Sequence, residues 1–312
     1  MKTARTTILS LCAALVFATS GFPSAMAQKL HSTDVVETYR VGANPQGLAF
    51  DGTNIWVTSA GSNKLYELAQ DGSLLGTVGM GANSYFAAFD GTNLWVTFRG
   101  LKHGLTKVRA SDGEIVGRFN LDQQPWYVLF DGRGVWVTDI NNANVSKINA
   151  RNGKVLGTFD VGPYPHGLAF DGANIWATSY SGGTVTKLRA SDGATLGVFP
   201  AGGGPMGIVF DGANLWIANW SDATLSKLRA SDGALLGTFP AGSNPRYIAF
   251  DGTKLWVTNF YANTVTVLRQ SDGGIDNIYP VGQDPFGIVF DGTSMWVSNY
   301  LDGTVSKITP AN

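Results

Sequence analysis

Apolar and polar residues alternate along this chain in short runs, broken every few positions by glycine, proline, asparagine or aspartate. That is the pattern of brief β-strands and tight turns, not of helices. One stretch shows the plan. Pro205-Met206-Gly207-Ile208-Val209-Phe210 breaks at Asp211-Gly212, and Leu215-Trp216-Ile217-Ala218-Asn219 follows. Thr224-Leu225-Ser226-Lys227-Leu228 then breaks at Ser231-Asp232-Gly233 before Leu235 to Phe239. Four short strands are predicted. A Phe-Asp-Gly followed by tryptophan recurs at Trp56, Trp95, Trp136, Trp176, Trp216, Trp256 and Trp296, at spacings of 39, 41, 40, 40, 40 and 40 residues. Seven four-stranded units at this period predict an all-β, seven-bladed β-propeller, whereas the coils of a β-solenoid are shorter.

The Asp-Gly pairs predict two-residue type I′ hairpins between strands one and two and strands three and four. The Gly-x-x-Pro and Asn-x-x-x-x-Thr connections then share the opposite face. The seventh unit stops at Thr304-Val305-Ser306-Lys307-Ile308 without a fourth strand, and Val35-Val36-Glu37-Thr38-Tyr39 matches Leu235-Leu236-Gly237-Thr238-Phe239. An N-terminal strand over 35–39 is therefore expected to complete the last blade. The seven tryptophans read as core between blades. Lys107, Lys147, Lys187, Lys227 and Lys307 read as a solvated outer face.

Composition narrows the class. Charged residues make up 14% of the chain, and 40 of its 312 residues are glycine, which suits a folded, turn-rich protein. Residues 1–27 read as an export signal: Lys2 and Arg5, an apolar run from Ile8 to Ala18, and Ala25-Met26-Ala27 before the cleavage point. No run is long enough for a membrane span. The chain without this leader, 28–312, is expected to form a single propeller domain in the periplasm or outside the cell. It holds 20 basic and 23 acidic residues, a net charge of −3, which gives no support to nucleic-acid binding. The single cysteine, Cys12, lies in the leader, so disulfides and thiolate metal sites are not expected in the remainder.

Candidate chemistry lies where the seven copies differ. After the proline slot stand Gln46, Tyr85, Trp126, His166, Met206, Arg246 and Phe286. Three residues after the repeated tryptophan stand Ser59, Phe98, Asp139, Ser179, Asn219, Asn259 and Asn299, and the next position includes Arg99, Tyr180, Trp220, Phe260 and Tyr300. Blade two departs most, with Ser84 for proline and one extra residue in Phe98-Arg99-Gly100-Leu101-Lys102-His103. Arg99, Asp139 and His166 form a candidate catalytic set: imidazole as general base, carboxylate to orient it or hold a cation, and Arg99 to hold developing negative charge. Tyr85, His103, Trp126, Arg246, Phe286, Tyr180, Trp220, Phe260 and Tyr300 are candidate ligand-binding residues, since flat rings give large contact area at low entropy cost. Calcium-loop, P-loop and Gly-x-Ser-x-Gly motifs are missing. The reading is a monomeric, cofactor-free binding or scaffolding module for a protein, glycan or small molecule. A metal-assisted lyase or lactonase-like enzyme is the alternative.

The units Asn244-Pro245-Arg246-Tyr247-Ile248-Ala249-Phe250-Asp251-Gly252, Trp256-Val257-Thr258-Asn259 and Asn263-Thr264-Val265 resemble YVTN-type β-propeller repeats, with tryptophan in place of that family's tyrosine. The resemblance spans residues 35–309 and implies a propeller of cell-surface or periplasmic type with a binding role. Pro165-His166-Gly167-Leu168 and the Trp-x-Thr strands are also similar to virginiamycin B lyase. That second resemblance implies Mg2+ or another divalent cation, held by Pro-His histidines and nearby glutamates. Here His166 matches the Pro-His pattern once, and Asp139 is the one acid in its slot after the tryptophans.

Overall fold

The computed structural model describes residues 34–100, 103–121 and 124–311; the export signal expected at 1–27 lies outside them. The described residues form 28 β-strands, β1 to β28, and no helix. In blade five, β18 (Pro205–Phe210), β19 (Asn214–Asn219), β20 (Thr224–Arg229) and β21 (Leu235–Pro240) pair antiparallel in chain order. Six blades follow this plan, starting with β2 (Pro45–Phe50), β6 (Asn83–Phe89), β10 (Pro125–Phe130), β14 (Pro165–Phe170), β18 and β22 (Pro245–Phe250). These first strands touch one another around the axis. The seventh sheet runs β26 (Pro285–Phe290), β27 (Met295–Asn299), β28 (Thr304–Thr309) and then β1 (Val35–Arg40), in register from Val35 opposite Thr309 to Arg40 opposite Thr304. The N-terminal strand closes the ring.

Each tryptophan is the centre of a seam. Trp216 is fully buried and packs against Ile248, Leu255, Val257 and Leu268 of the next blade. Its Nε1 donates to Asp211 Oδ2 at 2.7 Å, and the equivalent bond forms in all seven blades. Phe239 packs on its ring at 5.3 Å between centroids, and Tyr39 of β1 does the same for Trp296 at 5.8 Å. The repeated lysines depart from the solvated reading. Lys227 stands directly across from Trp216 on the same pleat face, its Nζ 4.6 Å from the ring centroid, and donates to Gln270 O of the next blade at 3.1 Å. Lys107, Lys147 and Lys187 repeat both contacts. The long stem covers the ring while the ammonium satisfies a seam carbonyl.

Neither hairpin turn is the expected two-residue type I′. Between strands three and four Arg229 pairs with Ala234, and a four-residue turn is closed by Gly233 N donating to Arg229 O at 2.7 Å. In the first turn only the glycine has positive φ, 97° at Gly212, so glycine sits at the first central position as in type II′. Asp211 flanks the turn, where its Oδ1 accepts the amides of Ala213 and Asn214.

A threonine two residues after the tryptophan stitches neighbouring blades. Thr178 Oγ1 accepts from Gly167 N and donates to Met206 O across the seam, and Thr58, Thr97, Thr138, Thr258 and Ser298 likewise donate to the next first strand. Blade five has Ala218 there, so its seam with blade six lacks this bond.

Candidate functional site

The axis is filled by rings. The slot after the aromatic-or-polar position of the first strand is glycine in four blades, Gly47, Gly167, Gly207 and Gly287, where the neighbouring backbone leaves no room for a side chain. In the other three it holds Phe86, Tyr127 and Tyr247. Tyr127 and Tyr247 stack at 5.8 Å and 15°, and Phe86 lies 4.7 and 5.1 Å from them. Trp126 Nε1 donates to Tyr247 Oη at 3.1 Å, tying blade three to blade six across the axis. Burial pushes the Tyr127 phenol up to about 12 and raises that of Tyr247 as well.

Against this plug, on the face of the Gly-x-x-Pro and Asn-x-x-x-x-Thr connections, opens a bowl of about 450 Å³. Tyr85, Trp126, Arg246, Phe260, Phe286 and Tyr300 of the expected ligand residues line it, together with Asn44, Gln46 and Asn83. Trp220 flanks it, 5.5 Å from Phe260, with the Arg246 guanidinium 5.4 Å from its ring. Arg246 also lies 3.7 Å from the Phe286 centroid and 4.6 Å from that of Phe260. It makes no hydrogen bond or ion pair with the described residues, and its Nε is buried without a partner. Crowding by these neighbours lowers its pKa to about 10 although the side chain keeps an opening to the bowl.

No hydrogen bond or ion pair joins the expected catalytic residues to one another, although His166 and Arg99 both lie against Trp126. His166 lies edge-on to Trp126 at 5.6 Å and to Tyr180 at 5.7 Å, with Nδ1 buried and unpartnered. Burial first, and the charge of Arg246 second, pull its pKa down to about 3. The imidazole is neutral. Asp139 is fully buried in its own turn, accepting from the amides of Gln124, Asn141 and Asn142 and from Asn142 Nδ2. It holds the place that Ser59, Ser179, Asn219, Asn259 and Asn299 hold elsewhere, stapling the connection between strands two and three. Arg99 lies 5.3 Å from the Tyr85 ring and 5.6 Å from Trp126, and its Nε donates to Gln124 Oε1 at 3.0 Å. Gln124 Nε2 lies 3.1 Å from His103 Nε2; an amide nitrogen only donates, so Nε2 accepts and the ring proton sits on Nδ1.

Blade two's extra residue is absorbed by a longer hairpin. Phe98 and Arg99 pair with Gly104 and His103, leaving a connection of three residues, where blade five pairs Asn219 with Thr224 and leaves four. This sets Arg99 at the bowl's edge.

The differences between copies passed over Asn44, Gln46 and Asn83 as ligand residues. Gln46 carried a signal, a polar side chain in a slot that is mostly large and apolar. Asn44 reads as a turn residue, and it does take φ 53°.

A divalent cation does not fit these donors. Among the described residues no three His, Cys, Asp or Glu side chains cluster to hold one. The bowl presents amides, rings and a guanidinium, and the oxygens of Asp139 are occupied by turn donors.

No family model matches the chain, and no curated protein matches its sequence. The solved structure titled "Streptogramin B lyase structure" matches with a TM-score of 0.77 at 19% identity, covering 89% of this chain and 98% of that one. In all, 1442 solved chains match, so the fold by itself selects no activity. The chain is a seven-bladed β-propeller with a fold similar to that of streptogramin B lyase.

Proposed function

We propose that this protein is an exported, monomeric, non-catalytic binding propeller that needs no metal and holds a small ligand, or the end of a larger one, in the bowl on its axis. The observation that carries the reading is the bowl itself: a concave, ring-lined recess with a few convergent polar groups, of a size within the ~300–1,000 Å³ of ordinary ligand sites. Seven of the residues named in the variable slots, Gln46 among them, line it. Divergence from a repeat needs a reason beyond the fold, and ligand contact supplies one.

The test is NMR with a mixture of aromatic fragments. Binders are expected to shift the Trp126 indole resonance, and a Phe260→Ala/Tyr300→Ala variant is expected to lose those shifts while still melting cooperatively. Fragments that leave Trp126 unmoved defeat the reading.

The likeness to streptogramin B lyase favours a second reading, a divalent-metal lyase acting through His166. It is separated by melting wild type and His166→Ala with EDTA, Mg2+, Ca2+ or Mn2+. An ion at 100 times its Kd adds about 2.7 kcal/mol, or several degrees at ~2–4 °C per kcal/mol. The binding reading expects no shift; a shift that His166→Ala abolishes supports the lyase.

A further inference from the structure

We propose that the bowl is a carboxylate receptor: Arg246 and Gln46 hold the anionic head of a small or chain-terminal acid, and its flat apolar body lies on Trp126 and Phe260. This rests on the reading of the bowl as a ligand site and adds the chemistry of what it takes.

Arg246 is the first ground. Its guanidinium is stacked among rings, 3.7 Å from Phe286 and 4.6 Å from Phe260, so its faces are used while its N–H edges, which can give five hydrogen bonds, have no partner among the described residues. Arg189, Arg229 and Arg269 behave otherwise, each pairing with an exposed aspartate three residues on. Asp284 acts on it only from beyond ion-pair distance, and a crowded cation without a counter-ion in contact is costly, ring quadrupoles offsetting only part of that cost. An oxyanion on the free edge completes it.

Gln46 is the second and independent ground. It comes from blade one, is 4% exposed, borders the same bowl, and its Oε1 is buried with no partner. Its amide can donate to an oxyanion or accept from an N–H beside one. A planar carboxylate matches one guanidinium edge in bidentate fashion. A phosphate ester brings a further oxygen and a second charge, yet no lysine lines the bowl and the Nε of Arg99 is committed to Gln124.

Calorimetry with N-acetyl-L-phenylalanine, N-acetyl-L-phenylalaninamide and phenyl phosphate tests this on the purified protein. The acid is expected to bind at least about tenfold more tightly than the amide. Arg246→Gln is expected to erase that preference, and Arg246→Lys to keep only part of it, because an ammonium lacks the fork. Wild type alone already decides if the variants do not fold. Equal binding of acid and amide overturns the carboxylate proposal and leaves the bowl a ligand site. Tighter binding of phenyl phosphate also overturns it, in favour of a dianion. Binding of none of the three overturns the proposal and the ligand-site reading together.

Discussion

Asp211 shows how much one side chain carries in this repeat. Its Oδ1 accepts from the amides of Ala213 at 2.9 Å and Asn214 at 2.6 Å, and its Oδ2 accepts from the Trp216 indole at 2.7 Å. Burial raises its pKa, but the indole and amide donors outweigh burial and hold it below the ordinary 3.8; Asp171 and Asp251 are shifted the same way. Depressed carboxyl groups stabilise the fold fully above the unfolded pKa and stop doing so as pH falls through the folded one. Urea midpoints are therefore expected to drop as pH falls below about 4. Asp211→Ala leaves a buried indole N–H unpartnered and is expected to cost about 1–3 kcal/mol, with Asp211→Asn, which keeps an acceptor, losing less in the same melt. His166 adds a second acid limb. Its folded pKa of about 3 lies below the ordinary 6.5, so the unfolded chain takes up the proton first and stability declines as pH falls from 6.5 toward 3. His166→Met, which borrows Met206's residue from a sibling slot, is expected to flatten the stability change between pH 7 and pH 5. The tryptophan core was legible in the sequence because seven identical residues in identical slots have one structural cause. The lysines were misread because charge suggested solvent. Register decides instead: Lys227 is directly opposite Trp216 on one pleat face, so its stem must cross the ring.

At the scale of the strand, the four-strand unit and its closure followed from periodicity, since a 40-residue spacing with two glycine turns admits few other arrangements. What strands do to each other across a seam was not legible. Thr178 looks like any β-former, yet its hydroxyl receives Gly167 N and bonds Met206 O in the next blade. The bowl was half legible for a related reason: Tyr85, Trp126, Arg246 and Phe286 announced themselves by breaking a repeat, whereas Asn44 and Asn83 reach it through connection geometry that no period encodes. Ala218 gives the seam a direct test. It stands in the stitching slot of blade five, and Arg246, on the facing strand β22, belongs to the bowl. Ala218→Thr is expected to restore the bond to the Arg246 carbonyl and raise stability by about 0.5–1.5 kcal/mol. Thr178→Ala, the reverse change one seam earlier, is expected to lower it by a similar amount. Equal melting temperatures for all three proteins show that seam hydrogen bonds do not contribute.

At the scale of the whole ring, the axial plug makes closure and site one problem. Trp126 of blade three bonds Tyr247 of blade six, so the bowl exists only while opposite blades keep their distance. The ring is held shut without a disulfide, by six paired residues of β1, by Tyr39 on Trp296, and by Asp34, which accepts from Asn277, Tyr279 and the Ala311 amide. Deleting residues 28–40 bares the Trp296 seam. Losing a half-buried tyrosine and a paired strand removes several kcal/mol, so a fall in Tm of about 10 °C or more is expected. The same geometry predicts a tolerated rearrangement. Ala311 N lies 2.9 Å from Asp34 Oδ1, so a short linker can join these two segments and new termini can open between the exposed Ser231 and Asp232. The permuted chain is expected to melt within a few degrees of wild type and to keep its bowl, read by the Trp126 indole resonance. If the permutant melts as low as the deletion variant, the N-terminal strand is not what closes the ring.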